Sequence, residues 1–136
     1  MFRRSCLSVM LLAVLAIGSP SWGEEFPTTL QGEWQMFSID GLPVAQCPGP
    51  DVDRNIEPGE GIIRISVRKL DAVELTCDVG AVRDRDTHLD VRMTCYYEGI
   101  IEKSAEIWWR RKLDGKDMLY THNPKLKTLL TYRRCS

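Results

Sequence analysis

The sequence predicts an all-β protein, a single antiparallel barrel cross-linked by two disulfides. Three observations carry that expectation. Apolar and polar residues alternate with a period of two over long runs, as in half-buried strands. Turn chemistry recurs about every ten to fifteen residues. Four cysteines follow an export-type leader, which reads as a pair of bridges formed in an oxidising compartment.

The alternation is clearest from Leu70 to Tyr97. Val73, Leu75, Cys77 and Val79 share one face of a first strand, read as Leu70 to Val79. Leu89, Val91, Met93, Cys95 and Tyr97 share one face of a second, His88 to Tyr97. Asp84-Arg85-Asp86-Thr87 supplies a polar turn between them. A turn centred near Asp86 puts Cys77 opposite Cys95, both on the apolar face. Three pairings of four cysteines exist. This register favours Cys77 with Cys95, which leaves Cys47 with Cys135.

The remaining elements follow in order. Arg3 and Arg4 precede an apolar run, Val9 to Ile17, and Ser21-Trp22-Gly23 offers small residues at the positions a signal peptidase reads. Residues 1–23 are therefore expected to be a signal peptide, with cleavage after Gly23, or alternatively after Gly18. A membrane anchor is the competing reading, but the apolar run is short for a span. Cys6 precedes that run, so no lipobox is formed. Residues 24–136 form the single expected domain. Loss of Arg3 and Arg4 leaves 16 basic against 19 acidic side chains, a formal charge of −3. That balance argues against nucleic-acid binding, which needs a concentrated positive surface. Periplasmic or secreted location is expected, with no transmembrane segment in the mature chain.

Leu30 to Ile39 reads as the first strand, with Trp34, Met36 and Ser38 on one face. Asp40-Gly41 is a turn signal. Ala45 to Glu60, with three prolines and four acids, is a long loop. Ile63, Ile65 and Val67 alternate with polar neighbours. After the Leu70–Tyr97 hairpin, Glu102 to Lys112 sets Ala105, Ile107 and Trp109 against Glu106, Trp108 and Arg110. Asp117 to Thr121 and Lys127 to Arg134 complete seven to eight strands.

Leu30-Gln31-Gly32-Glu33-Trp34 resembles the G-x-W signature that opens the first strand of lipocalins and related calycin barrels. The resemblance implies a calycin-like barrel in which Trp34 plugs one end and an arginine near the last strand packs across it. Arg134 is the suitable counterpart, sharing a face with Leu130 and Tyr132. The run Gly32 to Val44 also resembles the start of META-type domains of bacterial envelopes.

Candidate chemistry is sparse. Asp51-Val52-Asp53-Arg54-Asn55 spaces oxygens as a calcium loop does, but Ile56 and Ile62 stand where that loop needs Gly and Glu. The cysteine gaps of 29, 17 and 39 residues lack the close pairs of zinc sites. His88 and His122 sit at strand ends with nothing to bring them together. No nucleophile motif or phosphate loop is present. No catalytic, metal or cofactor residue is therefore assigned.

The aromatic pairs Tyr96-Tyr97 and Trp108-Trp109 each place one ring on either face. If Tyr97 and Trp109 point inward, Tyr96 and Trp108 point outward beside Arg92 and Arg110, a composition typical of interface hot spots. The expected function is an exported, non-enzymatic binding protein of the bacterial envelope. Its partner would be a protein, such as a hydrolase it inhibits, or a small apolar ligand. A secreted hydrolase using surface carboxylates and a structural envelope factor are the alternatives.

Overall fold

The computed structural model describes residues 22–135. The expected signal peptide, apart from Trp22 and Gly23, lies outside the described residues.

Eight strands run β1 (Gly32–Phe37), β2 (Ile62–Ile65), β3 (Lys69–Ala72), β4 (Leu75–Asp84), β5 (Leu89–Tyr97), β6 (Ile100–Leu113), β7 (Lys116–Asn123) and β8 (Thr128–Arg134). Each pairs antiparallel with its sequence neighbour, and β1 closes on β8, giving a closed eight-stranded barrel. Every strand therefore has a neighbour on both sides, although β6 extends beyond β7, which pairs only with its Ile107–Leu113 half. Among the described residues there is no helix, and so none long and apolar enough to cross a membrane.

Residues paired across neighbouring strands share a face, so the register sorts every side chain inward or outward. Trp34 on β1 pairs with Ile63 and Arg134, and Leu70 with Cys77. Cys77 pairs with Cys95, and Leu119 with Tyr132. Apart from Arg134, these inward positions belong to the core.

Both disulfides join the expected cysteines. Cys77 and Cys95 link across β4 and β5 inside the barrel, and Cys47 and Cys135 tie the long loop to the C-terminus. The Cys77 register has a local cause. The β4–β5 pairing shifts between Val79 and Ala81, at Gly80. This bulge absorbs one residue between the turn and the bridge.

Two expectations are corrected. The single strand expected from Leu70 to Val79 is two strands, turned at Val73-Glu74 with Glu74 at φ 56°. Ala72 pairs with Leu75 across this turn. The inward positions therefore change from even numbers in β3 to odd numbers in β4, and Val73 is exposed. The second correction concerns Trp108, expected outside. Leu89 pairs with Trp108, and Val91 with Glu106. The inward face of β5 thus selects Ser104, Glu106 and Trp108 on β6, and Trp108 is 1% exposed.

The long loop, residues 38–61, folds back on the outside of β1 and β2. Glu33 on β1 holds both Arg54 from the loop, at 2.9 Å, and Arg64 from β2, at 3.3 Å. The Arg64 guanidinium also donates to the carbonyls of Arg54 and Ile56.

Candidate functional site

The barrel has a plugged end and an open end. Gly32, at φ +129°, starts β1 at the plugged end. Trp34 beside it is fully buried and donates its indole N–H to the Leu30 carbonyl at 2.9 Å. The Arg134 guanidinium lies 4.2 Å from the Trp34 ring centroid, a cation–π distance. Arg134 also pairs with Asp117 at 2.8 Å and donates to the carbonyls of Gln31 and Thr29. Arg110 joins the same group through Asp117, at 3.1 Å, and the Thr29 carbonyl. The segment before β1 completes the plug. Phe26 and Leu30 are buried, and Phe26 stacks on Trp108 at 5.4 Å between centroids.

Beyond Trp108 the interior is not filled. A cavity of about 390 Å³ opens between the strands, and all eight contribute to its wall. Met36, Ile63, Leu70 and Leu75 come from the first four strands. Met93, Trp108, Thr121 and Tyr132 come from the last four, and the Cys77–Cys95 bridge lines it too. It meets a second hollow of about 540 Å³ at the mouth, with Val73, Leu75, Cys95 and Glu106 common to both. A largely apolar cavity with a few converging polar groups is the usual form of a small-ligand site.

The polar groups of the wall are few. Glu106 Oε1 accepts from Trp108 Nε1 at 2.9 Å, and its Oε2 accepts from the Ser104 hydroxyl at 2.7 Å. Tyr132, on β8, also lines the cavity. Burial, and then the negative charge of Glu106, pushes its phenol well above the ordinary range. At the mouth the Glu102 carboxylate, 3.3 Å from the Tyr97 hydroxyl, raises that phenol as well.

The four residues expected to share an outer binding face do not share one. Tyr96 and Arg92 are exposed on the outside of β5. The Arg92 guanidinium lies 4.4 Å from the Trp22 ring centroid. Trp108 is core, and Arg110 reaches into the plug. The register of β5 against β6 separates the two pairs, because it turns the less apolar phase of β6 inward. Ile107 and Trp109 in fact face outward, where Trp109 stacks on Tyr120 at 5.8 Å.

Tyr132 lies on the face the sequence assigned to Leu130 and Arg134, but Glu106 and Thr121 had no marker in the sequence, and for Glu106 the signal lay in the β5–β6 register. Once Leu89, Val91 and Met93 are placed inside, their β6 partners must follow.

The Asp51–Asn55 segment forms a local turn, with the Asn55 N–H donating to Asp53 at 2.9 Å. His88 pairs with Asp90 at 3.6 Å beside the β4–β5 turn, while His122 lies on β7. Among the described residues, no three His, Cys, Asp or Glu side chains are grouped to hold a metal ion. Comparison with protein-family models, with curated proteins and with solved structures found no match.

Proposed function

We propose that this chain is an exported, non-enzymatic binding protein that holds one small, mainly apolar ligand inside its barrel. The observation that carries this reading is the 390 Å³ cavity walled by all eight strands. It is closed below by Trp108 and the Trp34–Arg134 plug and continues above into the mouth. Its contents point to binding rather than turnover. A hydrolytic site needs an acid and a base within reach of one bond, whereas the mainly apolar wall carries Glu106, held by two neutral donors, and the exposed Glu60 of the outer loop.

Export through residues 1–23 to the periplasm or medium is part of the proposal. It draws support from the leader-like N-terminus and from two disulfides, which persist in oxidising compartments. The calycin-like resemblance draws support from Arg134 lying over Trp34.

The test uses the neutral apolar fluorophore N-phenyl-1-naphthylamine. It should bind saturably, one per chain, with quenching of tryptophan emission through Trp108. Ala72→Trp, which puts a large ring into the lumen, should abolish binding while leaving the far-ultraviolet dichroism unchanged. Binding that never saturates, or that survives Ala72→Trp undiminished, would remove the lumen as the site.

A further inference from the structure

The geometry points to a small organic ammonium ion with an apolar body as the ligand class, its charge held by Glu106; this rests on the cavity reading above. Most of the half-buried carboxylates among the described residues hold a cation. Glu33 holds Arg54 and Arg64, Asp117 holds Arg110 and Arg134, and Asp90 holds Arg85. Each of these has an arginine, and Asp78 has Lys69, because a carboxylate withdrawn from water is costly unless paired; Asp71, on the outer face of β3, has only the Thr76 hydroxyl. Glu106, like Asp71, lacks a cation, but it faces the lumen instead of the outside. It is half-buried and lines the cavity, yet none of the ion pairs among the described residues includes it.

Its two hydrogen bonds come from neutral groups on its own strand, Ser104 and Trp108. They fix the carboxylate in place without neutralising it, and each oxygen keeps a lone pair for another donor. A ligand ammonium supplies both the missing charge and the missing donors. Thr121 adds a hydroxyl acceptor on the same wall. The apolar remainder of the lumen takes the ligand's body. Its entrance has the matching sign. Glu60, Glu74, Glu98 and Glu102 border the two hollows against Lys103 and Lys125, a field that gathers cations.

The test is competition for bound N-phenyl-1-naphthylamine on the disulfide-bonded protein by three probes of one chain length: octylammonium, 1-octanol and octanoate. Octylammonium should displace the dye at a concentration about tenfold lower than octanol, the order a charge-assisted hydrogen bond supplies. Octanoate should be the weakest. Glu106→Gln should erase the advantage of octylammonium and leave octanol unchanged. Equal potency of octylammonium and octanol on the unaltered protein overturns the proposal, and so does an advantage that survives Glu106→Gln. Should that variant not fold, the order of the three probes on the unaltered protein decides alone. If dye and octanol bind but octylammonium gains nothing, the cavity stands and the ammonium assignment falls. If neither dye nor octanol binds, the cavity reading itself falls.

Discussion

Trp108 and Trp109 are neighbours in sequence and opposites in environment. Trp108 is buried between Phe26 and the cavity, with its indole N–H bonded to Glu106. Trp109 lies outside, stacked on Tyr120. Trp108→Ala should therefore destabilise the protein by about 3–5 kcal/mol, as large-to-small changes in a core do. Trp109→Ala should cost only about 1 kcal/mol, the scale of one aromatic pair with modest burial. Urea denaturation of both variants checks this, and equal costs would contradict the β5–β6 register. Either phase of the Trp-Trp pair satisfied the alternation on β6, so sequence could not choose between them. The phase with more apolar residues, Ala105, Ile107 and Trp109, proved to be the outer one. The inner phase carries Ser104 and Glu106 because that face lines a cavity instead of packing against side chains. Functional sites are where local patterning is expected to fail.

At the level of elements, turns decided what alternation left open. Val73-Glu74 lacks the Gly, Asn, Asp or Pro that announces a turn. Alternation also runs through it from Val73 to Leu75, so one strand was expected where two exist. Gly80 acted in the opposite sense. Its bulge returns Cys77 to Cys95 although the turn is longer than a simple centre at Asp86 implies. Gly32 shows why the first strand opens as it does. Its φ of +129° is one that side-chain-bearing residues avoid, and a Cβ there would meet the Arg134 guanidinium at 3.0 Å. Gly32→Ala should cost about 1–3 kcal/mol through backbone strain alone. It should also shift Arg134 off Trp34, which a change in tryptophan emission would report. A variant with unchanged stability and emission would show that the plug tolerates a Cβ.

For the whole molecule, the barrel closes through contacts distant in sequence, and the Cys47–Cys135 bridge fastens the outer loop to the closing strand's end. It spans 88 residues, against 18 for Cys77–Cys95. Chain-entropy reasoning makes the longer loop the larger constraint on the unfolded state. Replacing Cys47 and Cys135 together by Ser should cost about 2–4 kcal/mol in urea denaturation, while dye binding in the folded protein persists. A cost near zero would mean that the Glu33–Arg54–Arg64 contacts hold the loop without help.

Sequence by itself determined the all-β class and most strand positions, and it favoured both cysteine pairings and the inward placement of Trp34. These follow from short-range periodicity and from residues whose role is local: turn formers, alternating apolar side chains, and cysteines set opposite by hairpin register. Only the tertiary structure decided that the strands close as eight, that Trp108 turns inward with Glu106, and that space remains between them. Those depend on which strand lies beside which and in what register. A one-residue change of register exchanges inside for outside along a whole strand. A cavity is a property of all eight walls at once.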